Sequence, residues 1–261
     1  MRLRLFTFAV LAALVSSSAC GGGADRPSTP SAPGPGGSPA RLLVVTHTAG
    51  FRHDSIPAAE AALTAIGADS GLFTVEFCRT ADDARTRLTP AALSGIDGVF
   101  FANTTGDLGI ADMPGFLAWI GGGKVFFGTH SAADTYHESA GYLDMLGAEF
   151  TTHGAIVEAE VRVADASSPA VSHLAPSFRM SDEWYRFRPT SGGLRVLLSF
   201  DRNPPDGVGD AGATVDLPLA WTKRYGQGRV FYTALGHRAE VWNDPRYRTH
   251  LREAIRWGLG R

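Results

Sequence analysis

Lys124–Asp134 reads KVFFGTHSAAD. A β-branched and aromatic run, Val125–Phe127, enters a turn of small residues, Gly128-Thr129-His130-Ser131-Ala132, and a helical pattern resumes soon after. Strand, tight turn and helix in that order are how an α/β protein holds one side chain over the carboxyl end of its sheet. Hydrolases of the G-x-S-x-G type place a serine there; this chain has His130. An imidazole can shuttle protons or bind a metal, but it is a poor match for acyl transfer by Ser or Cys.

The segments on either side fit the same architecture. Leu42–Thr46 is a short continuous apolar run, as expected of a strand buried on both faces, and it breaks into a loop holding His47 and His53. Ser55 is placed to cap the next helix, with Pro57 in its first turn and helical spacing over Ala58–Ile66. Phe73–Cys78 reads as a strand, Asp82–Leu93 as short helical turns, and Gly98–Ala102 as a third buried strand ending at Asn103–Asp107. Met113–Ile120 is helical and stops at Gly121–Gly123. Alternating strands and helices predict a parallel sheet with right-handed crossovers, and ligands bind such sheets beyond the carboxyl ends of the strands.

Past a helix near Ser139–Leu146 the pattern changes. Ala148–Ala164 alternates polar and apolar residues, which predicts an antiparallel excursion. Asp182–Phe187 is an aromatic and charged cluster without a clear period. Arg195–Phe200, Leu217–Tyr225 and Arg229–Ala234 read as strands, Gly207–Gly212 as a loop, and Arg246–Leu259 as a closing amphipathic helix.

The 261 residues carry a formal net charge of −2, which gives no reason to expect nucleic acid as a partner. The first twenty residues read as an export signal: Arg2 and Arg4, an apolar Leu5–Val15 too short to span a bilayer, then small residues before Cys20. This resembles a bacterial lipoprotein signal, with Cys20 the lipidated residue and a membrane anchor, although Ser17 stands where Leu is usual; conventional cleavage after Ala19 is the alternative. Gly21–Pro39 is rich in Pro, Gly and Ser and reads as a tether up to residue 40, so the folded domain is expected over 41–261. The expected location is extracytoplasmic, on a membrane or secreted. Cys78, the other cysteine, sits in an apolar run and reads as a buried, inert thiol.

His47, His130 and His237 directly follow predicted strands, and His53 and His153 lie in nearby loops. Asp107, Asp134, Asp182, Glu183 and Glu240 are the neighbouring carboxylates. Imidazole with carboxylate suits acid–base work near neutral pH. It equally suits a divalent metal, for which His47, His130 and His237 are candidate ligands; no cofactor is required by the sequence. Trp184 and Tyr185 could stack on a sugar ring or pack in the core. Ion pairs with Arg186 or Arg188 are an alternative role for Asp182 and Glu183.

The blocks VVTHTAGFRHDSIP, FFANTTGD, FFGTHSAADT, SDEWYRF and FYTALGHRAEVW, in that order, resemble the ThuA-like (trehalose-utilisation) family across Arg41–Arg261. The resemblance implies a flavodoxin-like α/β fold, related to class I glutamine amidotransferases, with helices on both sides of the sheet. Those enzymes carry a catalytic cysteine where this chain has His130, so the resemblance argues against glutamine amidotransferase chemistry. Their triad histidine corresponds to His237, with Glu240 the candidate carboxylate to orient it. The implied substrate is trehalose, a related disaccharide or a keto-sugar, with a sugar oxidoreductase or transporter as partner. On that basis His130, His237, Glu240, Asp182 and Glu183 are expected to be catalytic. His47, His53, Asp107, Asp134, Trp184 and Tyr185 are expected to bind substrate. A non-catalytic sugar-binding lipoprotein and a metal-dependent hydrolase are the rival readings.

Overall fold

The computed structural model describes residues 38–261, so the expected signal, Cys20 and the tether up to residue 37 lie outside the described residues, and Ala40, expected as the end of the tether, already opens the first strand. β1 (Ala40–Val45) and β3 (Gly98–Ala102) are apolar runs without alternation, and nearly every residue in them is buried. β2 (Phe73–Cys78) follows α1 (Ile56–Ser70), which ends on the left-handed Gly71. α2 (Ala81–Arg87) opens with a reciprocal cap, in which Thr80 Oγ1 accepts from Asp83 N–H and the Asp83 carboxylate accepts from Thr80 N–H. α3 (Met113–Gly121) leads into β4 (Val125–Thr129), and a single 3-10 turn, His130–Asp134, replaces the start of a regular helix.

α4 (Ala140–Leu146) precedes the excursion: β5 (Ala148–His153), β6 (Val157–Val163), β7 (Ser177–Asp182), β8 (Tyr185–Pro189) and β9 (Arg195–Arg202). β10 (Thr214–Tyr225) and β11 (Gly228–Thr233) form a hairpin, and α5 (Ala239–Asn243) and α6 (Pro245–Leu259) close the chain. Nine strands make one sheet in the order β2-β1-β3-β4-β11-β10-β9-β6-β7. The first five are mutually parallel; β10, β9, β6 and β7 continue antiparallel. β5 and β8 pair separately.

The order β2-β1-β3-β4-β11 is the flavodoxin-like one, in which the chain steps outward from β1 and then reverses through β3. α1, α5 and α6 pack together as one layer and α3 with α4 as another, as right-handed crossovers of opposite direction require. Gly258 lets α6 approach the sheet closely, because a Cβ there would lie 2.6 Å from the Phe127 ring. The α/β expectation with an antiparallel excursion therefore holds.

Two details differ from expectation. The alternating segment Ala148–Ala164 is split between two sheets, because Gly154 and Ala155 turn against the Asp206 backbone, where Ala155 N–H donates to its carbonyl at 2.7 Å. The aperiodic cluster at 182–187 is the crossing from β7 to β8, which leaves Glu183 and Trp184 outside both strands.

Candidate functional site

The carboxyl ends of the parallel strands converge on one spot. β4 delivers His130 on a backbone with φ 45°, a left-handed conformation for a residue with a side chain. Tyr232 Oη donates to the His130 carbonyl at 2.6 Å and holds that turn from β11. The ring is fully buried, and its Nδ1 lies 3.0 Å from the Ala234 carbonyl, which can only accept. Nδ1 therefore carries the proton, and in the neutral ring Nε2 is a lone pair. It points at His237 Nδ1, 3.1 Å away, and Glu183 Oε2, 3.4 Å away. His237 Nδ1 is in turn 3.3 Å from the same Glu183 oxygen. His53, also buried, completes a group of four whose ligand atoms all lie within 4.8 Å of one another.

The loops carrying these groups are tied together by Asn103, itself at φ 54° after β3. Its amide nitrogen donates to Ser55 Oγ at 2.9 Å and to the Gly236 carbonyl at 2.7 Å, and its oxygen accepts from Thr129 Oγ1 at 2.9 Å. One side chain thus joins the loops after β1 and β11 to the end of β4. Ser55 does not cap α1 with its side chain, as expected from the sequence; its hydroxyl faces Gly236 instead.

Electrostatics follow from burial and proximity. Burial and the neighbouring His130 and His237 push the His53 pKa down to about 3. Burial would raise Glu183, but its contacts with His130 and His237 outweigh that and hold it well below the usual carboxylate range. Burial would lower His237, yet Glu183 reverses the direction and raises it.

The residues expected from sequence fall into three groups. His130, His237, Glu183 and His53 form the cluster. A cavity of about 260 Å³ opens above it, lined by Phe51, Asp134, Phe150, His153 and Tyr185 as well as by His53, Glu183 and His237. Tyr185 forms part of its floor, its ring 4.1 Å from His130, and burial raises its pKa. His153 Nδ1 lies 3.0 Å from the other Glu183 oxygen. Asp134 lines the cavity while pairing with His137 at 2.7 Å.

Asp182 is adjacent but plays a different part. It is fully buried and accepts from the backbone N–H of Gly236 at 2.8 Å and of Arg238 at 3.2 Å, which fixes the loop carrying His237. Burial pushes its carboxyl pKa up. The Gly236 and Arg238 amides occupy its two oxygens, so Asp182 is a loop anchor and not a group free to bind sugar.

Four expectations are corrected. Glu240 does not orient His237: it is solvent-exposed and pairs with Arg238 at 3.3 Å, while Glu183, from the antiparallel part, takes that position. Trp184 is not a stacking platform, being fully buried with its indole N–H donating to the Val157 carbonyl at 2.9 Å. Asp107 lies in a separate cavity, of about 410 Å³, where its side chain accepts from Gly109 N–H. His47 is not part of the cluster and has its pKa lowered by burial and Arg52. The alternative ion pairs do not form either, since Arg186 pairs with Asp206 and Arg188 with Glu149. Cys78 is fully buried, and burial pushes its thiol up to about 12, as an inert core cysteine requires.

The sequence reading had no role for Phe51 and Phe150. Phe51 is 67% exposed, and an aromatic residue between Gly50 and His53 in the loop after the first strand was the available signal. No local pattern marks Phe150.

Compared with known families, residues 41–258 match the ThuA model, described as trehalose utilisation. The chain belongs to the ThuA family. A ThuA-like protein from Parabacteroides merdae is similar in structure at a TM-score of 0.70 and 19% identity, covering 85% of this chain and 90% of that one. Another, from Bacteroides uniformis, gives 0.69 at 18% identity, covering 88% and 95%. A β-galactosidase from Bacillus circulans shares the fold at 0.55 and 12% identity over 85% of this chain and 31% of its own. No curated protein matches the chain in sequence. ThuA membership accounts for the spaced blocks around His53, His130, Glu183 and His237.

Proposed function

We propose that this ThuA protein binds a carbohydrate in the cavity above the histidine cluster and carries out acid–base chemistry on it. The observation that carries the reading is the convergence of His130 Nε2, His237 Nδ1 and one Glu183 oxygen at separations of 3.1, 3.3 and 3.4 Å, with His237 and Glu183 lining the cavity and His130 buried behind them. The lining supports a sugar: Phe51, Phe150 and Tyr185 offer apolar faces, and His53, His153, Asp134 and Glu183 offer hydrogen-bonding groups. Ligand pockets commonly measure ~300–1,000 Å³, so a cavity of about 260 Å³ suits one sugar ring, with a second ring toward the open mouth.

A keto group makes the adjacent C–H acidic, and its removal needs only a positioned base and a partner acid. His237 is the group that faces both the cavity and the buried His130–Glu183 pair, so it exchanges the proton with substrate. Glu183 stabilises the imidazolium that results. His130 is the positioning residue whose lone pair receives the His237 N–H when the site is neutral.

The test is a mass-spectrometric turnover screen with trehalose, maltose, sucrose and their 3-keto forms. One of them is expected to be converted, with kcat falling by ~10²-fold or more in His237→Ala and Glu183→Gln. Binding of a sugar that is always recovered unaltered would overturn the catalytic part and leave a binding protein. We also propose that the domain works outside the cytoplasm, tethered through a lipid on Cys20; the intact mass of the mature N-terminal peptide tests this.

A further inference from the structure

We propose that His130, His237 and Glu183 hold a divalent metal ion of the zinc type, with three protein ligands and a fourth position open to the cavity. His130 Nδ1–H is spent on the Ala234 carbonyl, so its buried Nε2 offers only a lone pair. Glu183 Oε2 offers only lone pairs. His237 Nδ1 can supply at most one proton to the triangle. Three short edges thus share a single hydrogen in a neutral site, whereas one cation satisfies all three corners at once.

The triangle has the right size. Its edges are 3.1, 3.3 and 3.4 Å. A tetrahedral site with metal–ligand bonds of ~2.05 Å requires ligand atoms ~3.3 Å apart. Two imidazoles and one carboxylate form a donor set that zinc uses in catalytic sites with an open position. The surroundings fit as well. The far nitrogen of His130 is already bonded to a backbone carbonyl, which fixes the ring and its tautomer as metal-bound histidines usually require. The other Glu183 oxygen lies 3.0 Å from His153 Nδ1, which is also 2.9 Å from the Gly154 carbonyl. His53, within 4.8 Å of each donor atom, flanks the site from the β1 loop.

This deepens the carbohydrate reading and rests on it only for the occupant of the fourth position, a sugar carbonyl or hydroxyl oxygen polarised by the ion. The metal itself stands on the triangle. In that case the ion would take the place of the proton shared by the three groups, with His130, His237 and Glu183 as its ligands.

The experiment uses the full-length chain, stripped with chelator and titrated with Zn²⁺ by calorimetry and with Co²⁺ by visible absorption. One equivalent of each is expected to bind, with the intense visible bands of tetrahedral Co²⁺. Glu183→Gln and His237→Gln should each weaken Zn²⁺ binding by ~100-fold or more with unchanged circular dichroism. His47→Ala should bind Zn²⁺ as the parent does. No saturable uptake, or full-affinity uptake by Glu183→Gln, would overturn the site. A stripped protein that converts sugar at full rate would overturn the metal while leaving the acid–base reading intact. Stoichiometric metal on a protein that binds no sugar would support the site and overturn the carbohydrate reading instead.

Discussion

Asn103 is the clearest single residue on which the site depends. Its side chain bonds Ser55 and Gly236 in two loops and Thr129 at the end of β4, and its backbone is left-handed. Asn tolerates that backbone better than most residues, which is why it can combine both duties. Asn103→Ala leaves the buried Thr129 hydroxyl without its acceptor and pays for the left-handed conformation, so it should cost about 2–4 kcal/mol in urea unfolding. Asn103→Gly removes the same bonds but not the backbone ease, and should be about 1 kcal/mol more stable than the alanine variant. Equal stability of the two would show that the φ of 54° does not matter. His250 supplies a pH-dependent case. It is buried on α6, with Nδ1 2.8 Å from the Ala170 carbonyl, and burial lowers its pKa to about 4. The unfolded histidine protonates near pH 6.5 and the folded one only near 4, so the fold loses stability as pH falls between those values. The loss should reach about 2 kcal/mol by pH 5. His250→Leu gives up the bond to Ala170 at pH 7.5 but should show a flatter acid limb; an acid limb as steep as the parent's would assign it to other groups. Asn103 was legible only as the start of a candidate segment at a strand end, and His250 not at all, because a hub and a buried neutral histidine are defined by distant partners.

At the level of elements, the connection from β7 to β8 does what no strand end does by itself. Asp182, the last residue of β7, clamps the loop after β11 through the amides of Gly236 and Arg238, and Glu183 then enters the cluster. Removing the clamp with Asp182→Ala should destabilise the protein by about 2–3 kcal/mol, since two backbone amides lose a buried acceptor. It should also speed hydrogen exchange at the Gly236 and Arg238 amides above that of the β4 strand. Unchanged exchange there would mean that Trp242 and Tyr247, packed around Gly236, hold the loop alone. The sequence located this cluster as chemically dense but not its structure, because the run 182–187 leaves one strand, crosses over and starts another, so no period survives. By contrast β1, β3, β4 and β11 were legible from their apolar runs, since strands buried on both faces need no alternation. Glu240 shows the limit of reasoning by neighbourhood: it follows His237 closely in the chain, yet α5 carries it into solvent beside Arg238.

Over the whole molecule, the candidate site is a seam. The parallel half supplies His53, His130 and His237 from the ends of β1, β4 and β11, and the antiparallel half supplies Glu183. Pairing across this seam therefore couples the two halves of the fold, with a pH dependence that can be worked out. Glu183 has its pKa lowered, so its contribution is present above the unfolded carboxylate pKa and fades as pH falls through the folded value. His237 has its pKa raised, so its contribution is complete below the unfolded imidazole pKa and fades as pH rises through the folded value. The two overlap most fully between roughly pH 4.5 and 6.5. A double-mutant cycle of Glu183→Gln and His237→Gln, in chelator-treated protein, should then give a coupling energy of about 1–3 kcal/mol at pH 5.5. The same cycle at rising pH should give a progressively smaller value as His237 loses its proton, because the attraction between imidazolium and carboxylate is then lost. A coupling that stays constant from pH 5.5 to 9 would mean that the seam is held by packing of Tyr185 against His130 and not by charge.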